Sequence, residues 1–300
     1  MAFEYDESKY ELIPDPSGLF RIRSLINIPK RSVKVGTIGG LVAGRHNLDD
    51  SIMSDCWISE GAAVYNGARV SGDAVVCGDA RVFDKAIVSD NAIVADDAQV
   101  FGTAKVGEKA YVDRCAKVYD DATVEGEAYV SDKAEVYGQA FLTERAIVRG
   151  FSRVHGNAFI SDKAKIENNS NIFGKAYIAN SFICEYAEVS GNADIDYGAH
   201  ITGSAKIGGT ANIHGPILVN GNTVVNSNRD ILIFNMFLRT GSYITWTRSN
   251  NMWHAGSFNG TSEQLLELAA KRGSEIKQEY LRIINYVKDV LEYENRCNKD

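Results

Sequence analysis

The sequence predicts an all-β solenoid, in which short strands and sharp corners wind into stacked three-sided coils. Three observations carry that prediction. Aliphatic residues recur at every sixth position from Ile58, Val64 and Val70 to Ile178, twenty-one hexads without an insertion. Two residues ahead of each aliphatic stands a small residue, an alanine in fifteen successive hexads from Ala62 to Ala146. Residues eighteen apart form columns of uniform character, one of them a file of rings: Tyr65, Phe83, Phe101, Tyr119, Tyr137, His155 and Phe173. Self-similarity at a fixed period marks a stacked repeat architecture.

Within a hexad such as Ala80-Arg81-Val82-Phe83-Asp84-Lys85, the first three side chains alternate in, out, in, as in a strand. Gly, Asp, Asn or Glu follows two places after the aliphatic, at Gly72, Gly78, Asp84, Asp90, Asp96 and Gly102. These types tolerate the backbone angles of a corner. A helix is excluded for this alanine-rich stretch, because a period of six conflicts with 3.6 and the valines and glycines are poor helix formers. The ring column lies one residue past the aliphatic, before a corner. The other two corners carry Ser71, Ser89, Gly107, Glu125 and Ser59, Cys77, Ala95, Asp113 at that place. Rings confined to one edge in three imply three faces per coil.

The hexads resemble those of the left-handed parallel β-helix of hexapeptide-repeat transferases, where three hexads make one triangular coil. The resemblance, not the periodicity, implies the left hand, which departs from the usual right-handed rule. Hexapeptide acyltransferases commonly place Gly directly after the aliphatic, whereas here it comes one position later, at Gly102, Gly126, Gly138 and Gly150. That Gly-x-Ala-x-Val variant resembles a transferase-like branch of bacterial and phage or prophage proteins. The stretch from Val35-Gly36-Thr37-Ile38 to Cys56-Trp57-Ile58 is similar to the opening segment of the same branch.

Residues 1–50 therefore read as an N-terminal β cap over an end that would otherwise expose apolar interior. Leu19–Ile22 and Val33–Gly36 are its expected strands, with turns at Gly39-Gly40 and Asp49-Asp50. The left-handed β-helix is expected over 51–228. Its register breaks once, with Ile183 five residues after Ile178, and then resumes to Val225, giving nearly ten coils. No proline falls between Pro29 and Pro216, as a backbone ladder requires. Residues 229–300 form a small β-plus-two-helix module. Ile231–Phe234, Tyr243–Trp246 and Met252–Ala255 read as strands split by Thr240-Gly241 and Asn250-Asn251. Thr261-Ser262-Glu263-Gln264 fits a capping box, and Ile276, Tyr280, Ile283, Ile284, Val287 and Leu291 keep helical spacing. The region from Thr245-Trp246-Thr247-Arg248 to Phe258-Asn259-Gly260-Thr261 resembles a terminal module of phage and prophage proteins.

Hydrophobic content of 45% and charged content of 24% are ordinary for a globular chain. A net charge of −7 argues against nonspecific nucleic-acid or anionic-membrane binding. No apolar run is long enough to span a bilayer, and the acidic start is unlike a signal peptide. Five scattered cysteines without CxxC spacing read as reduced thiols, which points to a cytoplasm, whether a bacterium's or a phage-infected host's.

Catalytic chemistry finds little footing. The resemblance implies a histidine base in a cleft between subunits of a trimer, acting with acyl-CoA on a small amine or sugar. Of His46, His155, His200, His214 and His254, none lies on an inserted loop. His155 occupies the ring column, where stacking is the simpler role. His214, beside Gly215-Pro216, is the weak catalytic candidate. The histidines are too scattered for a zinc site, and neither a phosphate loop nor a GxSxG is present. Asp73, Asp90, Glu108, Glu127, Glu144 and Asp162 line the third edge, read as a solvated acidic row.

Binding is the favoured expectation, with no cofactor. The candidate residues are the ring column, a second outward column begun by Trp57, Val75, Ile93, Tyr111, Tyr129 and Ile147, and Trp246 and Trp253 of the terminal module. The bland role of the ring column is self-stacking. An apolar strip across six coils calls for a cover, either another subunit of a dimer or trimer or the terminal helices folded back. The leading expectation is a non-catalytic β-solenoid that assembles with itself or binds a macromolecular partner, a host protein being one case. The alternative is the acyltransferase.

Overall fold

The computed structural model describes residues 8–235, 243–256 and 258–297. The hexads form a parallel β-solenoid of about ten turns with three strands per turn. One sheet starts at Trp57–Ile58 and ends at Leu218–Val219, and carries the apolar column outward; it is called the apolar face below. The second, the polar face, includes Ala63–Val64, Arg81–Val82 and their successors to Val224–Val225. The third face runs from Arg69–Val70 to Asn212–His214. Each strand pairs in parallel with those one coil away, as in Gln99↔Lys117 and Val100↔Val118.

The interior is what the hexads dictate. Val82, Val100, Val118, Val136 and the alanines between them are fully buried and form one continuous core. Burying each such valine contributes roughly 1.5–3 kcal/mol before ordering entropy is subtracted. Three alanine slots hold a hydroxyl that turns back on its own corner. Ser152 Oγ donates to the Arg149 carbonyl at 2.8 Å, Ser170 Oγ to Glu167 at 2.7 Å and Thr223 Oγ1 to Asn220 at 2.7 Å. Ser181 stands in the same slot after the one short corner and is the exception. Its buried hydroxyl has no partner among the described residues. Pairing nevertheless survives the deletion, because Lys165↔Phe182 and Ile166↔Ile183 keep the ladder at a spacing of seventeen.

The corner residue two past the aliphatic adopts positive φ, whether it is Gly102, Asp84, Glu108 or Arg114. Its acids are not merely solvated. Glu108 Oε2 accepts from the Gly126 N–H one coil on at 2.9 Å, Asp132 Oδ2 from Gly150 at 3.1 Å and Glu185 Oε2 from Gly203 at 2.9 Å. The row expected as a solvated edge thus divides. Asp90 accepts from the Glu108 N–H, whereas Glu127 pairs with Lys109 and Arg145, and Asp73 with Lys30. Glycine is required where coils approach: at Gly126, φ is +71° and a Cβ would stand 2.4 Å from the Glu144 nitrogen.

The N-terminal cap differs from expectation in detail. Tyr10–Pro14, Phe20–Ser24 and Ile38–Val42 form an antiparallel extension whose last strand pairs in parallel with Ala63–Val64. Val33 makes only an isolated bridge to Ile28, so no strand covers Val33–Gly36. Gly39 and Gly40 are strand residues, not a turn. Glycine serves there for close approach, since a Cβ would lie 2.6 Å from Ile22 Cγ1 at Gly39 and 2.4 Å from the Ala62 oxygen at Gly40. The buried Lys9 amine plugs this end, donating to the Ser54 and Cys56 carbonyls at 3.0 and 3.3 Å.

At the other end Ile231–Asn235, Tyr243–Thr247, Met252–Ala255 and Phe258–Gly260 form an antiparallel meander, one strand more than the sequence reading found. The Thr240-Gly241 turn lies outside the described residues. Helix α1 (Ser262–Arg272) begins at the expected capping box, with Thr261 N–H donating to Gln264 Oε1 at 2.9 Å. Helix α2 spans Ser274–Cys297. The two helices bury Leu265, Ala269, Tyr280, Ile284 and Val287 against Ile244, Trp246 and Trp253. The opposite face of the meander meets the last coil, where Thr245 Oγ1 donates to the Leu218 carbonyl and Ser249 Oγ accepts from Val224 N–H. His254 pairs with Thr245 and Asn259 on the neighbouring strands, is 2% exposed, and neither ring nitrogen has a partner among the described residues.

Two outcomes are expected. Gly126→Ala forces a Cβ into a left-handed corner against the next coil, costing at least about 1 kcal/mol, read from the urea midpoint. Burial pushes the His254 imidazole down to about 4 from 6.5. A depressed pKa makes the neutral ring's contribution complete above about pH 6.5 and lost as pH falls toward 4, on the order of 3 kcal/mol. Thermal melts from pH 7 to 4 should show that loss, and His254→Leu should flatten it.

Candidate functional site

The outer columns are set by the ladder beneath them. Tyr65, Phe83, Phe101, Tyr119, Tyr137, His155 and Phe173 stand on one edge as a continuous stack with centroid spacings of 4.6–5.3 Å. Adjacent rings lie within 9° of parallel. Each internal ring therefore has both π faces covered by its neighbours, and only ring edges and the tyrosine hydroxyls are offered outward. Burial within the stack pushes the Tyr119 hydroxyl up to about 12 and the His155 imidazole down. His155 Nε2 also meets Asn171 Oδ1 at 3.2 Å, so the ring is a member of the ladder with a local partner.

On the apolar face Trp57 is buried, with its ring against the Gly39 backbone, so the N-terminal cap covers that end of the strip. Val75, Ile93, Tyr111, Tyr129 and Ile147 follow, half-buried, and the column continues through Lys165 to Phe182, His200 and Leu218. The terminal helices do not lie on it, because their apolar sides pack on the meander. Tyr111 and Tyr129 are tilted neighbours at 5.6 Å, and burial pushes both hydroxyls up. Tyr129 donates to Asp113 Oδ2 at 2.9 Å. Asp113 is 8% exposed, and its other oxygen has no hydrogen-bond partner among the described residues. That oxygen is shut off from solvent, and leaving a buried acceptor unpaired carries a desolvation cost.

The remaining candidates sort differently. Trp246 and Trp253 are buried in the terminal module, where their indole N–H groups donate to Asn251 at 2.8 Å and Ser262 at 3.0 Å. They are packing residues of that core. His214 is exposed, with Nε2 3.2 Å from Asp194 Oδ1, a charge contact without hydrogen-bond geometry, and Tyr197 edge-on at 5.7 Å. Asp194 lies one coil before it on the third face, so the sequence spacing concealed this histidine–carboxylate pair. Cys184 Sγ lies 3.5 Å from His200 Nε2. Burial pushes the thiol up and the imidazole down, which favours a neutral pair over an activated thiolate. All five cysteines are free thiols. Among the described residues no group of three His, Cys, Asp or Glu side chains could hold a metal ion, and no helix is long and apolar enough to cross a membrane.

A second aromatic file escaped the sequence reading. Phe141, Phe159 and Tyr177 stack on the third face at 5.2 and 5.5 Å. They share a column with Arg69, Lys105 and Thr123, and that mixture hid them, although the eighteen-residue spacing would have found them. No protein-family model matches the chain, and a search of curated proteins finds no match.

If the ring ladder serves stability, Tyr119→Ala should lower it by about 1–3 kcal/mol through two lost stacking contacts, read by urea unfolding.

Proposed function

We propose that the chain is a non-catalytic β-solenoid that works by recognition, binding a macromolecular surface with its apolar face. The carrying observation is the half-buried column from Val75 to Ile147, set beside a polar face whose matching column reads Arg81, Gln99, Lys117, Glu135 and Arg153. Two faces share one scaffold and one interior, so the difference between them is not needed to build the coil. Apolar side chains spaced along one rigid face suit a flat partner, and the terminal module closes the last coil without covering that face. The candidate partners are further copies of this chain and, if the phage or prophage likeness of its hexads holds, a protein of the host that the chain inhibits.

The test compares a charged substitution on each face. Ile93→Lys should abolish capture of partner by the immobilised chain, while Gln99→Lys on the polar face should leave it intact, circular dichroism being unchanged for both. Equal capture by the two variants would overturn the reading.

The His214–Asp194 pair supports a second reading, an acyltransferase acting with acyl-CoA on a small amine or sugar. Here the nearby Asp194 carboxylate would favour the imidazolium that forms when the base takes up a proton. Acyl-CoA should then raise the melting temperature, and His214→Ala should abolish turnover. No thermal shift across a panel of acyl-CoAs would exclude it.

A further inference from the structure

Resting on the recognition reading above, we propose that the occupant of the apolar face is a second copy of this chain, bound antiparallel about a two-fold axis between the Tyr111 and Tyr129 rungs. Three features of the face lead there.

The first is size. The strip left open by the N-terminal cap runs over about seven rungs, from Val75 to Phe182. An axis between Tyr111 and Tyr129 overlaps six of those rungs, Val75 to Lys165, and at ~4.8 Å per rung and ~20 Å of width they offer roughly 600 Å² per copy, above the ~1,000 Å² in total that a specific interface needs. The face is flat and repeats with the ladder. An identical face can therefore lie against it in rung register without either chain changing shape, and an isologous contact closes as a dimer.

The second is the polarity of the flanking edges. On the lower coils the corners beside the strip carry Asp79, Asp90, Asp96 and Asp97, with no cation in those same corners. Cations gather above, at Lys133, Arg145, Arg149, Lys163 and Lys165, interleaved with Asp132, Glu144, Asp162 and Glu167. A parallel dimer would set the acidic corners level with one another. The antiparallel arrangement sets the acidic end of each copy against the cation-bearing end of the other, on both edges. With the axis between Tyr111 and Tyr129, Ile93 lies opposite Ile147 and Asp97 opposite Arg149.

The third is Asp113. Its carboxylate, 8% exposed and with the unpartnered oxygen turned away from solvent, borders the strip at a rung adjoining the proposed axis. Opposite it, in this register, comes the corner that carries Lys133 of the second copy. Lys133 is exposed and lies over the Phe151 ring, with no carboxylate within ion-pair distance among the described residues. One ammonium from each copy would stand beside the Asp113 corner of the other, so the two-fold uses the charge pair twice.

Sedimentation velocity on the full chain tests this. The wild type should sediment as a dimer, and Ile93→Lys as a monomer with an unchanged melting temperature. Asp97→Lys and Arg149→Glu should each raise the dimer Kd at least tenfold, and the double variant should return it toward the wild-type value. Should Ile93→Lys fail to fold, the charge-reversal pair carries the test alone. A wild-type monomer at the highest soluble concentration would overturn the dimer. A double variant weaker than either single would overturn the antiparallel register. In both cases the recognition reading would still stand if Ile93→Lys, and not Gln99→Lys, lost capture of a different protein.

Discussion

The vertical register between coils is the constraint on which the rest of this molecule depends. N–H groups at each rung donate to carbonyls one coil away, as in Phe83 to Val100 at 3.0 Å and Tyr119 to Val136 at 3.0 Å. Because that ladder is periodic, whatever stands at one outward position is repeated vertically with little freedom to drift. The ring stack and the apolar strip are both consequences of it. So is the corner device, in which an acid in the left-handed conformation reaches the N–H of the corner one coil on. Such a carboxylate satisfies a backbone donor that a strand cannot reach, and glycine is left for the places where coils approach most closely.

Periodicity also explains how the ends and the irregularity are handled. A parallel stack leaves unpaired groups at both ends. The lower end is closed by an antiparallel extension and the Lys9 amine, the upper by hydroxyls of the meander. Removing one residue after Ile178 leaves the strand pairing intact and shows its cost locally, in the orphaned Ser181 hydroxyl. The ladder tolerates a corner defect because each strand needs only its two vertical neighbours.

The outward surface divides along the same lines. A scaffold whose interior is fixed by Ala and Val is free to vary outward, and the polar and apolar faces have taken different compositions on it. Recognition needs only such a face, whereas catalysis would need converging groups. Among the described residues, His214 meets Asp194 on an open surface, and Cys184 meets His200 as a neutral pair.

Much of the fold was legible in the sequence, because a period of six with alanine two before the aliphatic admits few other structures. The ring column was legible as well: Tyr65 to Phe173 could be placed on one edge by counting eighteens. Other features needed the coordinates. Gly39 and Gly40 look like a turn by composition, and only the approach of Ile22 and Ala62 shows them as strand. Trp246 and Trp253 could face solvent or core until α1 and α2 are seen packed on them. The unpartnered oxygen of Asp113, the buried imidazole of His254 and the approach of His214 to Asp194 depend on side-chain placement across elements. Local pattern therefore determined which residues point in and which stack. Tertiary structure alone decided which outward groups are covered and which are left exposed, because burial depends on neighbours distant in the chain.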